Sequence, residues 1–138
     1  EGGLNLNSKK KFIKDMIKKF KKKKIRVSLF VEPTIQDIII SKKLGADCVE
    51  IHTGKYCNAF NKNKNVRLEY LKIKRTSYYA KKLNLEVHAG HGLTYKSTSK
   101  ISKIKYISEF NIGHFLVSES IFLGLNNTIK KFKKIITK

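Results

Sequence analysis

The 138-residue chain is 41% hydrophobic, as expected of a folded domain, and it contains no apolar run long enough to span a membrane. Its 31 lysine and arginine residues against 10 acidic residues give a formal net charge of +21, a feature typical of nucleic-acid-binding proteins. Arginine, which specific readers of nucleic acid favour, occurs only at positions 26, 67 and 75, so we interpret the charge as a solvated lysine surface and expect no nucleic-acid partner.

The first half of the chain alternates between helical and strand patterns. Ser8 is a predicted cap of a helix whose apolar stripe is Phe12, Ile13, Met16, Ile17 and Phe20. The β-branched and aromatic run 26–31 predicts a strand. Thr34 to Asp37 has the pattern of a capping box, which opens a helix that ends at Gly45. The run 48–52 predicts a second strand.

The second half continues the alternation. After a polar stretch at 61–65, the pattern predicts a helix over 66–83, a third strand over 85–89 and a short helix over 100–108. The fourth strand is predicted over 111–117, followed by a helix start at 118–120. The spacing of Phe122, Leu125, Ile129, Phe132 and Ile136 predicts a last helix with one buried stripe.

Strands that are separated by helices pair in parallel through right-handed crossovers. The predicted fold class is therefore α/β. Residues 1–138 contain one proline and no linker rich in glycine or serine, so we expect one domain, or one contiguous part of a domain. Neither of the two cysteines, Cys48 and Cys57, has metal or redox spacing, and no signal-peptide pattern opens the chain; a reduced, cytoplasmic setting is expected.

Unusual polar residues and glycines fall where three predicted strands end. Ligands of parallel α/β folds bind beyond these carboxyl ends. Glycine lets backbone amides approach an anion, and a helix start attracts one. The pattern therefore predicts a phosphate-binding rim that includes Glu50, His52, Gly54, Glu86, His88, Gly90, His91, Gly113 and His114.

Plainer roles remain open for some of these residues. His52 or His88 alone is as readily a hydrogen-bonded structural residue as a catalyst. Glu50 stands between Val49 and Ile51 in a central strand, where a carboxylate is costly unless it is paired or used. The four histidines have no helical i, i+4 pair and no cysteine partner, so no metal site is expected.

Four segments together resemble the pyridoxine 5′-phosphate synthase family: RVSLFVEP, GADCVEIHTGKY, LEVHAGHGLTY and NIGHFLVSESIFLGL. The opening EGGLNL is similar to the loop that follows the family's fourth strand. The resemblance implies a (β/α)₈ TIM barrel of which this chain is the C-terminal half, with strands five to eight. The implied reaction condenses 1-deoxy-D-xylulose 5-phosphate with 3-amino-2-oxopropyl phosphate to pyridoxine 5′-phosphate, phosphate and water.

The resemblance also implies roles for individual residues. His91 matches the general acid, and Glu50 matches the carboxylate that stabilises charged intermediates. Gly92, Gly113 and His114 match positions that bind the aminoketone phosphate. No cofactor or metal is implied, and the family forms homo-octamers.

Departures and gaps limit the resemblance. His88 stands where the family usually has asparagine, and Glu32 stands where aspartate is common. The family's other acid–base groups and its sugar-phosphate pocket lie on strands one to four, so the isolated chain is expected to be inactive. Two other functions are consistent with the residues: a different phosphate-binding barrel, such as an isomerase or aldolase, and a basic α/β module that binds nucleic acid.

Overall fold

Helices separate successive strands along the chain, as the sequence pattern predicts. The computed structural model describes residues 2–137. Its strands are β1 (Ser28–Val31), β2 (Cys48–His52), β3 (Glu86–Gly90) and β4 (Glu109–Asn111). Its helices are α1 (Lys10–Lys22), α2 (Ile35–Leu44), α3 (Gly54–Asn61), α4 (Val66–Lys82), α5 (Tyr95–Ile101), α6 (His114–Leu123) and α7 (Leu125–Ile136).

The four strands form one parallel sheet in the order β1-β2-β3-β4. This is the α/β class predicted above, and it is the arrangement expected of four consecutive strands of a (β/α)₈ barrel. The opening segment lies beside β1, because the amide of Leu4 donates to the carbonyl of Phe30 at 2.8 Å. Within residues 2–137, no helix is long and apolar enough to cross a membrane.

The two faces of the sheet differ in chemistry because side chains alternate along each strand. One face packs against the helices and is part of the core, with Leu29, Val31, Val49, Ile51, Val87 and Ala89 all buried. The opposite face, here called the polar face, consists of Ser28, Phe30, Cys48, Glu50, His52, Glu86, His88, Gly90, Glu109 and Asn111. The candidate site residues of the strands therefore share one side of the sheet.

Local signals explain where α2 begins and ends. Thr34 Oγ1 accepts a hydrogen bond from the amide of Asp37 at 3.1 Å, which is the expected cap. Gly45 adopts a φ of 94°, a left-handed conformation that favours glycine and ends the helix. The predictions for β2 and for the long helix α4 agree with the structure as well.

Several predictions of helix bounds and burial are wrong. Ser8 does not cap α1; its hydroxyl donates to the carbonyl of Asn5, and Lys9 is the capping position without a side-chain bond. Of the predicted α1 stripe, Ile13 and Ile17 are buried, whereas Phe12 is 63% exposed. The helix expected over 100–108 runs instead from Tyr95 to Ile101, and helix α3 was not predicted.

The region after β3 differs most from its prediction. The fourth strand ends at Asn111, so Gly113 and His114 lie outside it, at the start of α6. Residues 118–120, expected to begin a helix, lie in the middle of α6. Gly124 divides the expected single last helix into α6 and α7, and of the predicted stripe Phe132 is buried but Phe122 is 83% exposed.

Candidate active site at the carboxyl ends of the strands

Glu50 lies on the polar face of β2 and is held by its neighbours on β3 and β4. Asn111 Nδ2 donates to Glu50 Oε2 at 2.6 Å. Gly90 stands beside Glu50, and a Cβ at position 90 would overlap Glu50 Oε1. Glycine at position 90 therefore leaves room for the Glu50 carboxylate. The hydrogen bond from Asn111 offsets the free-energy cost of burying that carboxylate.

His91 lies in the turn that directly follows β3, at the carboxyl end of the sheet. His91 and Gly92 both have positive φ, at 78° and 77°. Left-handed backbone is uncommon for histidine and needs support from its surroundings. Thr53 provides it: the amide of Thr53 donates to the Gly90 carbonyl at 2.8 Å, and its hydroxyl lies 2.7 Å from that oxygen and 2.6 Å from the His91 carbonyl oxygen.

A second imidazole, His52, lies beside His91. The two ring centroids are 4.8 Å apart, and the His52 side chain is 6% exposed. His52 Nδ1 is 2.9 Å from Glu32 Oε1, whereas His52 Nε2 has no hydrogen-bond partner among the described residues. Because an ionised carboxylate accepts only, the bond to Glu32 places a proton on Nδ1.

Glu32 is ionised because three donors surround it. Lys55 Nζ is 2.9 Å from Glu32 Oε2, and the amide of Gly3 donates to Oε1 at 3.1 Å. Burial by itself would raise the pKa of Glu32, but the hydrogen bonds from Lys55, Gly3 and His52 outweigh it and lower the pKa from 4.5 to about 2. Glu32 therefore orients His52 from the loop that follows β1.

A small cavity of about 120 Å³ connects the β3 turn with the start of α6. Gly92, Asn111, Gly113 and His114 are among the residues that line it. Gly113 is the capping position of α6, and nothing lies within 4 Å of a Cβ built on it. The cavity thus joins open backbone to a helix start, where unpaired amides favour an anion. A larger surface cavity of about 400 Å³ beside Tyr56 has neither Glu50 nor His91 among its lining residues.

The structure brings the residues of the predicted rim, except Glu86 and His88, to the carboxyl ends of the strands. Glu50 contacts Asn111, two residues before Gly113, and His91 directly follows Gly90, which abuts Glu50. The prediction that Glu86 and His88 belong to this rim is wrong. Glu86 begins β3 at the opposite end of the sheet, and His88, two residues later, pairs with Glu86 and Glu109. In the part of the chain that the structure describes, the one group of three potential metal ligands contains His88 and lies at the amino ends of the strands, away from His91.

Sequence reasoning gave no role to Asn111 or Thr53. Asn111 could have been found by alternation, because its register partner on β3 is Gly90, on the same face as Glu50. The Thr53 hydroxyl contacts the carbonyls of Gly90 and His91 in the turn after β3. The sequence has no local signal for a contact between residues so far apart. Glu32 was noted only as a departure from the family pattern.

Comparisons with known proteins assign the family. The family model described as "Pyridoxal phosphate biosynthesis protein PdxJ" matches residues 1–138. Pyridoxine 5'-phosphate synthase of Pelagibacter ubique (strain HTCC1062) is 57% identical over 138 residues, covering 100% of this chain and 58% of that protein. The enzyme of the same name from Sulfurihydrogenibium sp. (strain YO3AOP1) is 49% identical over 136 residues, covering 99% of this chain and 55% of that protein.

The chain spans a little over half the length of these curated relatives. Their greater length agrees with a parallel four-stranded sheet that is one half of a (β/α)₈ barrel. The match extends over the whole chain and includes every residue of the candidate site. The chain therefore belongs to the PdxJ family.

Proposed function

We propose that this chain forms the C-terminal half of a pyridoxine 5′-phosphate synthase, a barrel enzyme that condenses 1-deoxy-D-xylulose 5-phosphate with 3-amino-2-oxopropyl phosphate. The observation that carries the proposal is the convergence of Glu50, His91 and the start of α6 at the carboxyl ends of parallel strands in a chain of this family. In such folds this end of the sheet binds substrate. The products are pyridoxine 5′-phosphate, phosphate and water.

His91 is the proposed general acid. The His91 ring lies against the rings of Phe30 and His52 on the polar face, where it would protonate a leaving oxygen during dehydration and ring closure. A positioned acid of this kind contributes about 10²–10⁴ in rate. Imidazole suits the task because it can both donate and accept a proton under physiological conditions.

Glu50 is proposed to stabilise positive charge that develops on the substrate nitrogen during condensation. Its Oε2 is occupied by Asn111, which fixes the carboxylate and leaves the other oxygen beside the bare backbone of Gly90. Preorganised charge of this kind acts strongly because it does not have to reorient during the reaction.

The cavity at the start of α6 is proposed to hold the phosphate of the aminoketone. Gly92 and Gly113 give the phosphate access to backbone amides, and His114 offers a ring at the first helical position. The helix dipole adds attraction for the dianion. No cofactor or metal is assigned to this reaction.

The assembly is also part of the proposal. In the part of the chain that the structure describes, no residue of α6 is buried, and the exposed side chains of α6 and the start of α7 include Val117, Ile121, Phe122, Leu123 and Leu125. A group of large apolar side chains exposed together commonly marks a surface that contacts another chain or segment. We propose that the remaining half of the barrel and neighbouring copies in a cytoplasmic homo-octamer cover it. Nucleic acid and membranes are not proposed as partners.

The test is a steady-state assay with both substrates. The complete protein should form pyridoxine 5′-phosphate, and the 138-residue chain by itself should not, because its site lacks the groups of the other half. Turnover by the isolated chain comparable to that of the complete protein would contradict the half-barrel account. Failure of the complete protein to consume the aminoketone, together with isomerisation of a triose or pentose phosphate, would contradict the synthase.

A further inference from the structure

A second cluster of reactive side chains lies at the opposite end of the sheet from His91. Cys48 begins β2 and Glu86 begins β3, and parallel register pairs these two residues side by side. His88 follows two residues later on the same face. The Cys48 sulphur, a Glu86 carboxylate oxygen and a His88 ring nitrogen all lie within 4.8 Å of one another.

The three ligand atoms combine sulphur, nitrogen and oxygen donors. Thiolate and imidazole are the ligands that zinc prefers, and a carboxylate completes many zinc sites. A tetrahedral ion with bonds of about 2.0–2.3 Å draws its ligand atoms closer together than 4.8 Å, so modest rotations of the side chains suffice. Three protein ligands leave a fourth position for water.

His88 has a carboxylate near each of its ring nitrogens. Its side chain is 9% exposed, its Nε2 lies 3.0 Å from Glu86 Oε1, and its Nδ1 lies 3.5 Å from Glu109 Oε1. A carboxylate behind the second ring nitrogen is the usual partner of a ligating histidine, because it fixes the tautomer and strengthens the donor. Glu109 is thus placed to support the ring from β4.

A cation already occupies the mouth of this cluster. Arg26 Nη2 is 2.9 Å from Cys48 Sγ and 2.6 Å from Glu86 Oε2. The position of the guanidinium indicates that Cys48 and Glu86 together favour a positive charge between them. A metal ion that binds here would therefore compete with Arg26 for Cys48 and Glu86.

We propose that Cys48, Glu86 and His88 form a binding site for a divalent transition metal, with zinc the best match and Arg26 the group that it displaces. Binding breaks the S–H bond of Cys48, releases that proton to solvent and forms a sulphur–metal bond, without any change in oxidation state. The ion would join the amino ends of β2 and β3, away from the proposed chemistry. The proposal does not depend on the proposed function.

Cobalt(II) titration of the complete, metal-stripped protein tests the site, because cobalt takes zinc ligands and a cobalt–thiolate bond produces a charge-transfer band in the near ultraviolet. We expect this band to saturate at one ion per chain and to disappear when zinc is added. Cys48→Ser should abolish it. Cys57→Ser is the matched control, since Cys57 is the other buried cysteine of the chain and lies outside the cluster.

Two further variants keep all three ligands and so remain informative if Cys48→Ser fails to fold. Glu109→Gln should weaken cobalt binding by about tenfold or more, as expected for a carboxylate behind a ligating histidine. Arg26→Gln should strengthen it, because the competing cation is gone. The proposal is overturned if no thiolate band forms, if the band persists in Cys48→Ser, or if Arg26→Gln and Glu109→Gln leave the affinity unchanged.

Discussion

Replacing Glu32 with glutamine should destabilise the protein in a pH-dependent manner. Glu32 is surrounded by donors from Lys55, Gly3 and His52, and its pKa falls from 4.5 to about 2. At about 1.36 kcal/mol per pKa unit, this difference corresponds to about 3 kcal/mol. The side chain is 26% exposed, so solvent screening reduces the expected contribution to about 1–2 kcal/mol.

The sign of the pH dependence follows from the direction of the shift. Since the pKa of Glu32 is lower in the folded state, the ionised carboxylate stabilises the fold fully above about pH 4.5, and this contribution is lost as the pH falls towards 2. Glu32→Gln should therefore lower the free energy of unfolding at pH 7, and the difference from the wild type should shrink at pH 3.

Urea denaturation of the complete protein at pH 7 and pH 3 measures both effects. Asp15→Asn is a suitable control because Asp15 is an exposed carboxylate on α1. It should change the free energy of unfolding little at either pH. Equal stability of Glu32→Gln and wild type at pH 7, or a difference that stays the same at pH 3, would refute the account of the Glu32 hydrogen bonds.

Three substitutions test the geometry of the site. Gly90→Ala should lower the melting temperature and the catalytic rate, at a cost of about 1–3 kcal/mol, because its Cβ would overlap Glu50; an unchanged melting curve and rate would contradict this packing. Gly113→Asp should raise the melting temperature by capping α6 yet weaken binding of the aminoketone phosphate in calorimetry, whereas unaltered affinity would rule out a phosphate at this helix start. Thr53→Val should cost about 1–3 kcal/mol of unfolding free energy because it removes the hydroxyl donor that lies 2.6 Å from the His91 carbonyl oxygen, and Thr53→Ser should restore the stability; equal stability of the two variants would show that the hydroxyl is not needed.

The central strands were predictable because local and global signals agree there. Alternation along β2 predicts that Glu50 and His52 share one face of the strand. Parallel pairing places His88 and Gly90 of β3 on the same face of the sheet. The cap at Thr34 and the left-handed Gly45 determine where α2 begins and ends, and both signals are local in the sequence. These features need no knowledge of distant contacts.

The region after β4 was not predictable in the same way. A short apolar run such as 112–117 is compatible with either a strand or a buried helix, and periodicity alone cannot choose between them. In the structure the run enters α6, of whose residues none is buried. Phe115 packs against Tyr95 and Phe132, but Val117, Ile121 and Phe122 are exposed. The exposed apolar residues fit the proposal that other segments or copies cover α6.

Several contacts in the two clusters join residues that are far apart in the sequence, so they could not be predicted from it. The bond between Glu32 and His52 joins the loop after β1 to the end of β2, and the sequence has no local pattern for it. The support of His91 by Thr53 links residues 38 positions apart. Pairing of Cys48 with Glu86 likewise requires the register of two parallel strands, which spacing in the sequence does not give.

The most direct test of the account is the rate of pyridoxine 5′-phosphate formation by the complete protein with His91 replaced by asparagine. Asparagine tolerates the left-handed backbone at position 91, so the turn should persist while the acid is lost. We predict a fall in kcat of about 10²–10⁴ with an unchanged melting temperature. A His91→Asn protein that forms pyridoxine 5′-phosphate at the wild-type rate would contradict the role of this end of the sheet.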